Sequence, residues 1–326
     1  MKSLVTGATG FVGLALARDL VAAHGADSVI ALVRDPIPEA EQAAARELEE
    51  LGLRLLPCDL FSLPVADFTD VEFDVLYHLA AETDSSADEK RLLVNSEGTS
   101  NLLDSLGRER LEDKRVILAG ATASIDRGNP PRTLMKETDP PHPRTAYGRS
   151  KLKAEEYLAL FAEGFGFDFV IPRFSPVWTT DLSTGFLKAF KEQVTGRSIL
   201  RRVNWPGRIT MIRRKDAVKI LRHFGESGTA DGRAVHVGDG RVYTYAGLMK
   251  DIRRLDRDSK WSLPIPGFCW SLIRFMAWFP KVKDKVPWRL SCLIGDDLAV
   301  DSSLLRQLYT TPMTGWQESE DEIRLS

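Results

Sequence analysis

The sequence predicts an α/β protein with a doubly wound parallel sheet and a smaller, irregular C-terminal lobe. Three observations carry this. Aliphatic runs alternate with helical patterns through the first half of the chain, which suits a parallel sheet covered on both faces. A short apolar run ends in three glycines spaced three apart, Gly7, Gly10 and Gly13, and an apolar helical pattern follows at once. Beyond Pro176 that rhythm loosens.

Taken in order, Lys2-Ser3-Leu4-Val5-Thr6 reads as a first strand and Phe11 to Ala23 as a helix ending near Gly25. Ser28 to Val33 is β-branched and apolar, a second buried strand. Glu39 to Glu50 is a polar helix rich in Ala and Glu. Leu53 to Leu56 and Phe73 to His78 are the third and fourth strands. Asp88 to Gly107 is a long helix, and Arg115 to Leu118 a fifth strand. Asp126 to Pro143 is proline-rich and therefore a loop. A helix runs from Thr145 to about Phe161, and Phe167 to Phe174 is a sixth strand. Helices follow near Phe186 to Val194, Ala217 to Phe224 and Thr244 to Leu255, with strands near Arg208 to Ile212 and Ala234 to Val237. The expected division is residues 1–175 for the dinucleotide domain and 176–326 for a mainly substrate-binding lobe that sends segments back to the core.

Composition excludes several classes. The 326 residues are 43% hydrophobic and 28% charged, an ordinary globular balance. With 44 basic and 46 acidic residues there is no global electrostatic case for nucleic acid. Three scattered cysteines argue against a disulfide framework and fit a reducing cytoplasm, and the five histidines form no metal-ligand spacing. The N-terminus leaves no room for a signal peptide. No apolar stretch is long enough for a membrane span; Phe268 to Phe279 is short and carries Arg274.

The glycine turn is the first chemical signal. Without a Cβ, Gly7 can turn sharply, Gly10 can admit a pyrophosphate to the backbone, and Gly13 can let the helix pack close to the strand. Free N–H groups at the helix start favour phosphate. Thr9, Phe11 and Val12 complete the cofactor-facing turn, in the manner of a Rossmann dinucleotide fold. The second signal is Tyr147-Gly148-Arg149-Ser150-Lys151, which places a phenol and an ammonium at i and i+4 on one helix face. A nearby ammonium favours the phenolate, so the spacing predicts a lowered Tyr147 pKa.

The chain resembles the extended short-chain dehydrogenases/reductases, the epimerase/dehydratase-type family. The resemblance runs through Gly7-x-x-Gly10-x-x-Gly13, Asp59-Leu60, His78-Leu79-Ala80-Ala81, Asn95-x-x-Gly98-Thr99, Tyr147-x-x-x-Lys151 and Arg173-Phe174-Ser175-Pro176-Val177. Val300-Asp301-Ser302-Ser303 and Arg306 resemble its closing strand and helix. It implies that Tyr147 is the acid/base, and that Lys151 tunes it and holds the nicotinamide ribose. It further implies that Asp59 and Leu60 meet the adenine, that Ala80 and Ala81 line the cofactor, and that Arg173 lies in the cofactor shell. Members often pair through two long helices, here Asp88 to Gly107 and Thr145 to Phe161, which implies a homodimer. One departure stands out. The family's Ser-Ser pair after the fifth strand is replaced by Ala119-Gly120-Ala121-Thr122-Ala123-Ser124, so Thr122 becomes the third catalytic candidate and Ser124 its reserve.

Arg34 follows the second strand, where an arginine accommodates a 2′-phosphate. Val33-Arg34-Asp35-Pro36 resembles NADP-dependent dihydroflavonol-reductase-like members, so NADP is expected. Asp35 keeps NAD open. An NADP-dependent carbonyl reductase or alcohol dehydrogenase acting on a small apolar substrate is the leading expectation, similar to dihydroflavonol reductases and 3β-hydroxysteroid dehydrogenases. A nucleotide-sugar epimerase or dehydratase is the alternative. Sugar enzymes commonly carry an asparagine after the sixth strand, where this chain has Ser175 and Pro176, but Arg208, Arg213 and Arg214 offer phosphate ligands. Trp261, Trp270, Phe275, Trp278 and Trp288 would suit an apolar substrate wall. A non-catalytic cofactor-binding protein is the third class.

Overall fold

The computed structural model describes residues 1–83, 87–126, 133–181, 184, 186–188, 191, 203–229, 231–255, 265–278 and 298–322, with backbone only at 274, 276–278 and 320–322. Its centre is a sheet in which every neighbouring pair of strands is parallel. The strands are β1 (Ser3–Thr6), β2 (Val29–Arg34), β3 (Arg54–Cys58), β4 (Val75–His78), β5 (Arg115–Leu118), β7 (Asp168–Phe174) and β11 (Arg233–Val237). They stand in the order β11-β7-β5-β4-β1-β2-β3, and the short β6 (Gly120–Ala121) also pairs with β7. The order reverses between β1 and β4, whose ends are in register at Thr6 and His78. Ligands of open α/β sheets bind beyond the strand ends at such a reversal. This is the Rossmann-type fold that the glycine turn and strand rhythm predict.

Strand residues alternate between the two faces, and the two cores follow that alternation. Val5, Val75 and Tyr77 pack on one side with Leu16 and Leu20 of α1 (Gly13–His24) and Leu221 and Phe224 of α5 (Arg214–Glu226). Leu4 and Leu76 pack on the other with Leu102 and Leu103 of α3 (Glu89–Leu111) and Leu158 of α4 (Ala146–Phe165). Each fully buried leucine contributes roughly 1.5–3 kcal/mol, so the faces are strongly specified. The polar α2 (Glu39–Glu50) has the span read from the sequence. α3 is broken at Gly107, whose φ 67 and ψ 169 are not helical, so the long helix stops where the sequence predicts and a short helical turn carries on to Leu111.

Local signals set the ends that matter for the site. Thr145 caps α4 by accepting from Gly148 N at 2.9 Å, and Gly166 ends it in the left-handed conformation. Asp88 caps α3 by accepting from Arg91 N. Thr244 accepts from Gly247 N at the start of α6 (Tyr245–Leu255).

Past Pro176 the chain serves two cores. β11 joins the edge of the main sheet beside β7, and α5 packs against α1. Between and after them a third apolar cluster forms around Trp178, Trp205, Met211, Tyr243, Leu248, Trp270 and Trp316. Two small ladders border it: β8 (Val177–Trp178) with β10 (Ile212–Arg213), and β9 (Arg208–Ile209) with β12 (Tyr243–Thr244). α7 (Gly267–Trp278) adds Trp270 to this cluster, and α8 (Ser303–Leu308) adds Leu305 to the first. The helix expected at Phe186 to Val194 lies largely outside the described residues. No helix among the described residues is long and apolar enough to cross a membrane.

Candidate active site

The glycine turn lies directly beyond β1, against the segment that follows β4. Gly7 has φ +65, and a Cβ there would come within 2.7 Å of Ala80 N. Gly10 N donates to Gly7 O at 2.9 Å, closing the turn, and a side chain on Gly13 would overlap that same carbonyl. A Cβ on Gly10 would meet only Gly7 O, at 3.1 Å, so its outer side is open to a ligand. Beneath the turn runs a buried polar chain. Ala80 N donates to Thr6 Oγ1, and Thr6 donates to His78 Nδ1 at 2.6 Å. His78 Nε2 donates to Thr99 Oγ1 at 2.9 Å, and Thr99 donates to the Asn95 carbonyl. This assigns the Nε2–H tautomer. Burial, with the Lys151 ammonium adding to it, pushes the His78 pKa down to about 3, so the ring is a neutral connector.

Asn95 extends the same chain to the catalytic helix. Its amide accepts from Glu82 N and donates to Glu82 O and to Ser150 Oγ at 2.9 Å, and Ser150 donates to the Tyr147 carbonyl. Asn95 thus ties the segment after β4 to the first turn of α4.

Tyr147 and Lys151 share one face of α4, as their spacing requires. Among the described residues, neither the Tyr147 hydroxyl nor the Lys151 ammonium makes a hydrogen bond within the chain. Lys151 is only 4% exposed, and burial pushes its pKa down to about 8 against the opposing effect of Glu155. Burial also pushes Tyr147 up, to about 12. This reverses the lowered value expected from the spacing, because removal from water is the cause acting on the phenol. Gly148 lets α4 approach the segment after β6, since a Cβ there would overlap Ala123 O.

That contact places Thr122 and Ser124 on either side of the residue touching Gly148, and their hydroxyls differ. Thr122 is 8% exposed and donates to Phe174 O over a long 3.4 Å. Ser124 is fully buried and engaged by Ala121 O and Glu155 Oε1, both at 2.9 Å. Glu155 in turn holds Arg173, with Nη2 to Oε2 at 2.6 Å and Nε to both oxygens at 3.1 Å. Arg173, which the resemblance puts in the cofactor shell, closes this buried ion pair, because β7 presents it toward α4. Glu155 itself was missed, although its place four residues after Lys151 puts it on the same helix face.

At the end of β2, Arg34 is 64% exposed and paired with Glu41 Oε1, a residue the sequence did not single out. Thr9 Oγ1 donates to Glu41 Oε2 at 2.6 Å. Asp59 accepts from Phe61 N and Ser62 Oγ, which hold its carboxyl below the usual range, so its carboxylate organises its own turn. Leu60 is buried beside Gly98, and Ala80 and Ala81 are half-buried.

The basic residues divide. Arg214 reaches the glycine turn, donating to Phe11 O at 3.4 Å with its guanidinium 4.6 Å from the Phe11 ring centre. Arg213 lies 6.0 Å from the Trp178 ring centre. Both line a cleft of about 430 Å³ with Arg18, Lys215 and Lys219, while Arg208 sits apart in β9. Of the expected apolar wall, Phe275 is exposed. Trp270 is buried 5.3 Å from Trp205 as core, the Trp278 side chain is not described, and Trp261 and Trp288 lie outside the described residues.

A nearly buried ammonium with no hydrogen-bond partner among the described residues, beside an open glycine cradle at the sheet reversal, fits a dinucleotide cofactor. Comparison with known proteins agrees. Residues 3–200 match the profile of the family described as "NAD dependent epimerase/dehydratase family". UDP-glucose 4-epimerase of Mycolicibacterium smegmatis is 29% identical over 177 residues, 52% of this chain and 53% of that protein. The matched stretch thus spans about half of that relative's length. The Vibrio cholerae UDP-glucose 4-epimerase is 26% identical over 284 residues, 82% of this chain and 80% of that protein.

Solved structures align over nearly the whole chain. The Thermotoga maritima UDP-glucose 4-epimerase with UDP-glucose has a TM-score of 0.75 at 18% identity, covering 99% of this chain and 97% of that one. A Bacillus cereus UDP-glucuronic acid 4-epimerase variant, solved with a UDP-sugar and NAD, gives 0.73 at 16% identity, covering 99% and 98%. A monomeric L-threonine 3-dehydrogenase of metagenomic origin gives 0.69 at 17% identity, covering 98% and 97%. These likenesses show the fold.

Proposed function

The chain belongs to the NAD-dependent epimerase/dehydratase family, and from that premise we propose that it is an NADP-dependent oxidoreductase. It transfers hydride between the nicotinamide and the carbonyl or alcohol carbon of a small substrate, with Tyr147 as acid/base. The observation that carries the reading is the Tyr147–Lys151 pair: two polar groups on one face of α4 with no hydrogen-bond partner among the described residues, the ammonium almost buried. The bound nicotinamide supplies or accepts the hydride. The chain's own residues do the rest. The Tyr147 hydroxyl gives its proton to the substrate oxygen in reduction and takes it back in oxidation. Lys151 holds the nicotinamide ribose, and its positive charge stabilises the phenolate left behind. Thr122, whose bond to Phe174 O is long, turns its hydroxyl to the substrate oxygen; Ser124 is too firmly held by Glu155 to do so. Gly7, Gly10, Phe11, Val12 and Gly13 cradle the pyrophosphate, with Asp59, Leu60, Ala80 and Ala81 along the adenosine and ribose path. Arg34 meets the 2′-phosphate. The setting is the reducing cytoplasm, and the outer faces of α3 and α4, with exposed Leu93 and Leu160, pair two copies.

A second reading, a nucleotide-sugar epimerase or dehydratase, is favoured by Arg213 and Arg214 in the cleft beside Phe11 and by the relatives' names. The two differ in net chemistry. An epimerase keeps its nicotinamide bound and produces no lasting change at 340 nm, whereas a reductase consumes NADPH stoichiometrically. Calorimetric titration of the cofactor-loaded protein with UDP-sugars and free UDP separates them. Absence of binding, together with NADPH oxidation by members of a ketone and aldehyde panel, supports the reductase. Micromolar binding, about −8 kcal/mol, overturns it.

A further inference from the structure

Glu41 occupies a position that the cofactor chemistry must negotiate. It lies in the first turn of α2 with its side chain 20% exposed, and both carboxylate oxygens are engaged. Oε1 accepts from Arg34 Nη2, at the last residue of β2, and Oε2 accepts from Thr9 Oγ1 in the glycine turn. One carboxylate therefore bridges the two segments that flank the adenosine end of a dinucleotide in a Rossmann fold.

The consequence for a 2′-phosphate is direct. Arg34 is the cation assigned to it, and Arg34 already holds an anion. A phosphate on the same guanidinium either displaces Glu41 or shares the group with it at like-charge cost. The Thr9 bond opposes displacement, because it fixes the second oxygen and with it the direction of the first. A 2′-hydroxyl meets no such competitor and can donate to the same carboxylate.

We propose that Glu41 is the specificity-determining residue for the cofactor's adenosine end. It acts as a built-in competitor for Arg34 that lowers the affinity for a 2′-phosphate and leaves that for a 2′-hydroxyl nearly untouched. The preference for NADP over NAD is then much smaller than a free Arg34 would give. The inference rests on the reading of Arg34 as the 2′-phosphate ligand.

The experiment is fluorescence titration of the full chain with NADPH and with NADH, in wild type, Glu41→Gln, Arg34→Ala and the double variant, with a thermal melt confirming that each is folded. Glu41→Gln keeps the side-chain shape and removes the charge. It should raise the NADPH-over-NADH affinity ratio at least about tenfold, mostly through NADPH, and the gain should vanish in the Arg34→Ala/Glu41→Gln pair. Thr9→Val, which releases one carboxylate oxygen, should move the ratio the same way by less. An unchanged ratio in Glu41→Gln, or a gain that survives loss of Arg34, overturns the proposal. Failure of the underlying reading looks different: Arg34→Ala alone would then leave wild-type NADPH affinity unchanged.

Discussion

Replacing Glu155 with glutamine removes the carboxylate that holds the buried Arg173 guanidinium. The pair is made by three N–H···O contacts of 2.6–3.1 Å, and Ser124 Oγ adds a fourth bond to the same carboxylate at 2.9 Å. Both side chains are at most 10% exposed, so water cannot take over the lost partner. Breaking a buried pair on one side costs about 3–5 kcal/mol, because the remaining charge is left uncompensated. Against a total of roughly 5–15 kcal/mol that is a large loss, and the melting temperature should fall by roughly 4–7 °C. Urea denaturation followed by circular dichroism gives the free energy. The double variant Glu155→Leu/Arg173→Met removes both charges and should recover most of it. A loss below about 1 kcal/mol in Glu155→Gln, or a double variant no more stable than the single, would refute the reasoning. The same substitution also removes the carboxylate that supports the Lys151 charge, so the Lys151 pKa should drop further below 8.

Three further outcomes are expected. Gly148→Ala adds a good helix former but drives a Cβ into Ala123 O, so stability in urea should fall rather than rise by the usual ~1 kcal/mol of helix preference. His78 is neutral when folded down to about pH 3, whereas the unfolded ring takes a proton near 6.5. Between those values the unfolded state binds more protons, so stability should fall as pH drops below about 6.5. In urea melts that slope should flatten in His78→Asn. Lys151 loses its charge as pH rises through about 8, so NADPH affinity measured by fluorescence should weaken across that range and show no such step in Lys151→Met.

Periodicity and turn chemistry made the sheet, α2, the start of α4 near Thr145 and the Tyr147–Lys151 face legible in the sequence. These are local features: a glycine at φ +65, a capping hydroxyl, an i, i+4 pair. What was not legible depends on partners far away in sequence. β11 lies against β7 across some sixty residues of chain, and no short-range pattern marks that pairing. Arg173 finds its partner Glu155 eighteen residues earlier, beyond the reach of helix or strand spacing. Glu41 looked like part of a polar helix until the fold brought Arg34 and Thr9 to its two oxygens. The sign of the Tyr147 shift failed for the same reason, since spacing shows the ammonium but not the loss of water. The tryptophans could not be divided between wall and core without knowing that Trp270 packs on Trp205.

The most direct test of the redox site is the rate of NADPH oxidation by Tyr147→Phe, with the best substrate of the ketone and aldehyde panel, alongside its NADPH affinity. Only the hydroxyl is removed, and among the described residues that hydroxyl makes no hydrogen bond. Loss of a positioned proton donor should lower the rate at least about 100-fold, while NADPH affinity stays within about twofold of wild type. A phenylalanine variant that turns over at the wild-type rate would contradict the assignment of Tyr147 as acid/base and, with it, the proposed site.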